Sequence, residues 1–331
     1  MMACVPNTAR RGSACLALPV GAGSRASVRL RGLARRHAPA AGVNTRSLTS
    51  APNLRASDDM EYEDYTSTSK VYDSTRVPIG LDSLRVALER AGAAIGKPVE
   101  SLALLDVGCG TGNYLDAVKP LVGSCTGLEF NGGMLAQAQA KHAEDPKVTL
   151  LEGSVLEIPL EDASQDTVMM TQVLHHLTPD THETALSEIV RVLKPGGTFW
   201  ISTQTPHQHM DGFWWTPIIP QASSIVAARF NGEPVFTAQL EAAGLTGVTW
   251  DIPDVPLMAP DSYADIQGPF SKVFRDGDST WSAATDEELE AGLTWWKAEI
   301  EAGRAEAFFA KREERRAIVG QTSAVTGQKP L

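Results

Sequence analysis

The segment Leu104-Leu-Asp-Val-Gly-Cys-Gly-Thr-Gly-Asn113 places Gly108, Gly110 and Gly112 at alternate positions directly after a short apolar run. Glycine lets the backbone turn sharply and approach a ligand closely, and a helix starting there offers free N–H groups. Two acids frame this turn. Asp106 lies two residues before Gly108, where a carboxylate repels a pyrophosphate but suits an ammonium. Glu129, 21 residues past Gly108 at the end of the next apolar run, is placed to bind a ribose diol. A dinucleotide site wants G-x-G-x-x-G, and Asn113 stands where its third glycine would fall.

Further chemistry-bearing residues lie downstream. His175 and His176 titrate near neutrality and are candidate bases, although an orienting role is the favoured reading. His207, His209 and Asp211 alternate along a segment read as extended and could face one metal, but no supporting partners are legible, so no metal is assigned. Five tryptophans, Trp214, Trp215, Trp281, Trp295 and Trp296, follow the glycine-bearing region; they read either as a hydrophobic seal or as aromatic faces for a cation. Trp296 falls on an apolar helical stripe and reads as core, which leaves Trp214 and Trp215 as the cage candidates. Arg76 or Arg275 could clamp a carboxylate with a bidentate pair.

These residues need a scaffold. Apolar runs at 102–105, 125–128, 148–151, 167–170, 198–201 and 248–250 read as strands, and helical spacing covers 81–94, 112–121, 131–142, 181–193 and 236–245. Such alternation argues for a parallel sheet covered on both faces. Lys194-Pro195-Gly196-Gly197 reads as a helix stop before the fifth strand. Residues 204–232 break the period, and 284–317 read as helical, with Thr285 and Glu288 at capping-box spacing.

Charge divides the chain sharply. Residues 1–57 hold nine Arg, no Lys and no acid; taking those nine from 29 basic residues leaves 20 against 40 acids, a net of −20 over 58–331. An Arg-, Ser- and Ala-rich, acid-free leader reads as a disordered transit peptide, mitochondrial or alternatively plastid, with Arg46-Ser-Leu48 near the expected cut. A domain this acidic disfavours nucleic acid. No apolar run approaches the roughly 20 residues of a membrane span. Cys109 and Cys125 form no CxxC pair, so neither a disulfide framework nor a zinc site is suggested. Nothing here sets an oligomeric state.

Taken in order, Asp106–Gly112, Glu129, Gly153-Ser154-Val155, Gln172-Val-Leu-His-His176 and Leu193-Lys-Pro-Gly-Gly197 resemble the class I S-adenosylmethionine-dependent methyltransferases over roughly residues 100–205. The resemblance implies an α/β, doubly wound, mostly parallel Rossmann-like sheet of seven strands. On this reading the cofactor core is about 81–205, and an added lid with C-terminal helices comes from 204–232 and 252–317. It implies S-adenosyl-L-methionine as cofactor, held by Asp106, Gly108, Cys109, Gly110, Gly112 and Glu129. Met134, Ser154 and Val155 would lie at the adenine, and Thr171 and Gln172 at the amino group. Ser154 departs from the Asp common in the family. In the family one histidine of the pair faces the site and the other packs behind it. Shorter likenesses at Tyr72-Asp-Ser-Thr-Arg76 and Arg275-Asp-Gly-Asp-Ser-Thr-Trp281 resemble enzymes that S-methylate 4-methylthio-2-hydroxybutyrate in algal dimethylsulfoniopropionate synthesis. They imply Tyr72, Arg76, Trp214, Trp215 and Arg275 around a small acceptor with a sulfur nucleophile. The alternatives are O- or C-methylation of a quinone or hydroxy acid, and a non-catalytic partner protein.

Overall fold

The computed structural model describes residues 77–331. The leader 1–57 and the expected acceptor residues Tyr72 and Arg76 lie outside them. Seven strands form one sheet in the order β3-β2-β1-β4-β5-β7-β6. They are β1 Ala103–Val107, β2 Ser124–Glu129, β3 Val148–Glu152, β4 Gln165–Thr171, β5 Leu193–Thr203, β6 Thr246–Asp251 and β7 Ser323–Gln328. The first five pair in parallel, whereas β7 runs antiparallel between β5 and β6. The chain thus folds as the doubly wound α/β sheet that its alternating pattern implies.

The central strands β1 and β4 are buried on both faces, which is why they read as near-continuous apolar runs. Helix α1 (Leu81–Ile95) ends at Gly96, whose φ of 76° gives a left-handed cap. Helices α2 (Asn113–Val118), α3 (Gly132–His142) and α4 (His182–Val192) follow β1, β2 and β4. Asn131 caps α3 by accepting from the N–H groups of Gly133 and Met134. One apolar cluster joins Leu105, Val168, Ile189 and Phe199, and another, containing Leu84, Leu88, Met169 and Trp200, includes residues of α1.

Several boundaries differ from the sequence reading. The Lys194–Gly197 turn is not a break before β5 but lies inside it, where pairing with β4 shifts register between Gln165 and Thr167. The supposedly irregular 204–232 contains helices α5 (Pro206–Gly212) and α6 (Pro220–Ala227), each with proline in its first turn. Helix α7 (Glu233–Ala242) begins and ends three residues earlier than expected. The C-terminal helical stretch is two helices, α8 (Asp286–Glu301) and α9 (Ala305–Val319), separated at Gly303, whose φ is 67°. Thr285 caps α8, but the Glu288 carboxylate reaches the N–H groups of Gln221 and Ala222 at the start of α6 instead of its own cap. The capping box forms at Thr205 and Gln208 on α5. No described helix is long and apolar enough to cross a membrane.

A third apolar cluster belongs to the added region: Phe213, Trp214, Trp215, Tyr263, Phe274, Trp281 and Trp296 pack together away from the sheet's own clusters.

Candidate functional site

Strand order reverses between β1 and β4, and the carboxyl ends of β1 to β5 share one edge of the sheet. In open α/β sheets a crevice opens at such a switch point and receives ligands. The glycine turn leaves β1 there. Each glycine has its own reason. At Gly108, φ 73°, an added Cβ would lie 2.3 Å from Cγ2 of Val173, so the loop after β4 packs directly on the turn. At Gly112, φ 81°, it would lie 2.6 Å from Nε2 of His142. At Gly110, φ 56°, nothing stands within 4 Å, so this backbone faces open space.

Glu129 holds the turn in shape. Its Oε2 accepts from the Gly110 N–H at 2.8 Å and its Oε1 from the Asn131 N–H at 2.7 Å. The Gly108 and Cys109 N–H groups both donate to the Leu128 carbonyl, at 2.7 and 3.1 Å. Beneath the turn lies Asp106, 0% exposed, with no hydrogen-bond partner at either carboxylate oxygen. Burial pushes its pKa well above the usual carboxylate range, and the neighbouring Glu129 adds to the rise. Burial also raises the Cys109 thiol strongly, which keeps it an inert thiol.

A cavity of about 320 Å³ opens in front of the turn. Gly108, Cys109, Gly110 and Tyr114 form its β1 side, and Thr171, Gln172, His175 and His176 its β4 side. Gln172 adopts a left-handed φ of 54°, unusual for a side-chain-bearing residue. Gln204 enters after β5, and His209, Val226 and Phe230 close the far wall. Asp276, Asp278 and Thr280 also line the cavity. Among the described residues, no lysine or arginine lines it.

The sequence-derived site is therefore brought together in part. Gly108, Cys109, Gly110, Thr171 and Gln172 meet at the cavity. Gly112 packs instead on His142, and Met134, Ser154 and Val155 lie outside the lining. Met134 is buried in the first turn of α3, Val155 joins the sheet core, and the Ser154 hydroxyl accepts from the Leu156 N–H at 3.1 Å. These three do follow β2 and β3 at the same sheet edge, where Glu129 pairs with Glu152.

Both histidines of the pair line the cavity, rather than one facing it and one packing behind. Their rings meet at 4.1 Å with a 40° tilt, and His175 also meets Phe230 at 4.8 Å. Burial lowers the His176 pKa to about 4, with Arg229 adding to the fall, so this ring is neutral at pH 7.

Three expectations fail. Trp214 and Trp215 are 0% and 1% exposed and do not line the cavity. The Trp214 Nε1–H donates to the Tyr263 carbonyl at 2.7 Å, and the two rings meet edge to face at 5.8 Å inside the lid's own core. An aromatic seal satisfies the same sequence pattern as a cation cage. Arg275 donates to the Pro269 carbonyl at 2.6 Å and lies outside the lining. His207, His209 and Asp211 are not on extended chain but on α5, whose turn splits them. His207 and Asp211 face Arg315, at 2.7 and 3.0 Å, while His209, 3% exposed, turns inward. Among the described residues no group of His, Cys, Asp and Glu is arranged to hold a metal ion.

Sequence reading missed Gln204, Phe230, Asp278 and Thr280, and took His209 for the wrong neighbourhood. Thr205-Pro206 followed by Gln208 was the available signal. It is a helix start, and helical spacing from it puts His209 beside Gln208 and Gly212 on the buried face.

The profile of the methyltransferase domain family matches residues 105–201. A "Probable S-adenosylmethionine-dependent methyltransferase" of Mycolicibacterium smegmatis is 36% identical over 145 residues, which cover 44% of this chain and 54% of that protein. A demethylmenaquinone methyltransferase of Staphylococcus aureus is 34% identical over 146 residues, 43% of this chain and 59% of that protein. The chain thus spans little more than half the length of these relatives. Among solved structures, a candidate methyltransferase from an antibiotic biosynthesis pathway of Anabaena variabilis superposes with a TM-score of 0.60 at 20% identity, covering 76% of this chain and 98% of that one. That likeness is one of fold.

Proposed function

Since residues 105–201 match the methyltransferase domain family, we propose that this protein transfers a methyl group from S-adenosylmethionine to a small-molecule acceptor. The carrying observation is the buried, unpartnered Asp106 carboxylate beneath a glycine turn that opens on a cavity. A dinucleotide's pyrophosphate would meet that acid as a repulsion, whereas an ammonium meets a counter-charge.

In this reading the Gly108–Gly110 backbone lies along the methionine part, with Asp106, Thr171 and Gln172 near its amino group. Glu129, which holds the turn at the end of β2, lies at the ribose diol. When bound, the cofactor supplies an electrophilic methyl on a sulfonium. The chain's own contribution is alignment and exclusion of water by the lid helices.

For the acceptor, an uncharged molecule with a hydroxyl nucleophile suits the lining best. Beside His209 the far wall is apolar, at Val226, Phe230 and Leu257, and among the described residues the carboxyl-bearing lining groups are Asp276 and Asp278. A thioether acid such as 4-methylthio-2-hydroxybutyrate loses two of its supports, because the tryptophan pair and Arg275 are elsewhere. Tyr72 and Arg76 are what remains for it. We also propose that the leader 1–57 directs mitochondrial import and is cut near residues 48–57. N-terminal sequencing of the protein from its native cell checks this, and an intact leader on the active form refutes it.

Isothermal titration tests the central reading. S-adenosylhomocysteine should bind in the micromolar range and NAD should give no heat; the reverse result overturns the assignment.

A further inference from the structure

The cavity contains a directed chain of side-chain hydrogen bonds that leads to one histidine. Nδ1 of His209 lies 2.9 Å from Oε1 of Gln204. Nε2 of Gln204 donates to Oε1 of Gln172 at 3.4 Å, and Nε2 of Gln172 donates to Oγ of Ser202 at 3.2 Å. An amide oxygen cannot donate, so Nδ1 must carry the proton in this arrangement. The amide orientations support one another along the chain.

With Nδ1 protonated, Nε2 is the bare nitrogen. It stands 3.5 Å from Oγ1 of Thr280, the outer limit of a hydrogen bond. His209, Thr280, His175 and Gln172 line the same cavity as the glycine turn. Phe213 and Phe230 flank the imidazole at ring separations of 5.9 and 5.5 Å, which fixes the plane. Burial lowers the His209 pKa, and Asp278 opposes the fall. Asp276, His175 and His176 are the other titratable groups on this lining that carry no thiol or phenol.

We propose that His209 is the acceptor-side base of this site, held as the Nδ1–H tautomer by Gln204 and presenting Nε2 to the hydroxyl of an uncharged acceptor. This rests on the methyl-transfer reading above and adds the acceptor's chemical class to it. In the step, the acceptor O–H bond breaks with its electron pair left on oxygen, and the proton goes to Nε2. The oxygen–methyl bond forms as the methyl–sulfur bond breaks, and that bond's electron pair stays on sulfur. The imidazolium then returns its proton to solvent. Gln204 and Gln172 act through the histidine and are positioning residues. A thioether has no proton to give and would leave this arrangement without a task.

Nitrogen NMR on the full chain with 15N-labelled histidine tests the proposal without a known acceptor, the His209 signals being assigned by difference from His209→Gln. At pH 7 the expected result is a protonated Nδ1 and a bare Nε2, with the Gln204→Leu variant losing the single tautomer. Phenol is then added in the presence of S-adenosylhomocysteine and should shift the Nε2 signal upfield by several parts per million. Anisole, which differs by lacking the proton, should leave it in place. A protonated Nε2, or an Nε2 signal that saturating phenol leaves unmoved, overturns the proposal. Titration of S-adenosylhomocysteine into His209→Gln keeps the two readings apart. Affinity within about twofold of the unaltered chain (under 0.5 kcal/mol) is expected if His209 serves the acceptor alone, and a tenfold loss places it on the cofactor and refutes the base role. Failure of the unaltered chain to bind sinks the methyl-transfer reading itself.

Discussion

Asp106 is costly to the protein when no cation lies above it. A carboxylate fully out of water resists ionisation, so the folded chain holds its proton to a higher pH than the unfolded chain does. The sign follows from that. The group's contribution to stability is full below the ordinary aspartate value and is lost as pH rises through the raised folded value, then stays level. Asp106→Asn should therefore melt higher than the unaltered protein without ligand. The gap should open above about pH 4, widen with pH and then level off, which thermal scans over a pH series will check. The same variant should lose about 1.5–3 kcal/mol of S-adenosylhomocysteine affinity, the scale of a hydrogen bond to a charged group. Gly108→Ala is harsher. A methyl 2.3 Å from Val173, at φ 73°, forces the turn and the β4 loop apart. It should lower the melting temperature by several degrees and abolish cofactor binding measured by titration. Asp106, Glu129 and the glycines were legible in the sequence because their demands are local: a backbone conformation, or an acid at a strand end. His209 was not legible, because its meaning depends on Gln204, five residues away, and on Thr280, which a distant turn delivers.

At the scale of elements, the lid is a small core in its own right. Trp214 touches Trp215, Phe274, Trp296 and Phe309, and its indole N–H is taken by a backbone carbonyl. Truncating a fully buried tryptophan leaves a cavity as well as lost burial, so Trp214→Ala should cost about 3–5 kcal/mol in urea unfolding. The sequence left two readings open for these rings, a hydrophobic seal or a cage for a cation, with Trp214 and Trp215 as the cage candidates. If unfolding is unchanged and only turnover falls, the cage reading returns. β1 and β4 were located to within two residues because burial on both faces leaves an uninterrupted apolar signature, whereas β5 begins five residues earlier than its apolar run, across the Lys194–Gly197 turn. Helices α5 and α6 left no such mark. They are seven and eight residues long, proline-led, and flanked by tryptophans that pack sideways into the lid rather than onto the sheet.

Over the whole molecule, the least legible element is the strand that completes the sheet. Ser323-Ala-Val-Thr-Gly-Gln328 holds two aliphatic side chains and a glycine, yet it lies between β5 and β6 with five of its six residues buried. Its identity comes from two partners far away in sequence, not from its own pattern. A chain terminated after Gly320 would leave both neighbours with open hydrogen-bonding edges. It would also remove Gln321, whose side chain joins Leu257 to Gly212. Such a chain should be aggregated by size-exclusion chromatography and show no cooperative melting; a monodisperse, cooperatively melting product would show that β7 is dispensable.

That pairing also sets a timetable. Synthesis runs from the N-terminus, so β5 leaves the ribosome about 120 residues ahead of the strand that must lie against it. At about 5–20 residues per second, its outer edge waits roughly 6–24 s for its partner. Over that interval the nascent chain carries a long apolar strand with a free rim, and β6, made midway through, has no described neighbour except the strand still to come. The half of the sheet that holds the glycine turn can assemble early, while the half that supports the lid must be shielded until translation is almost done.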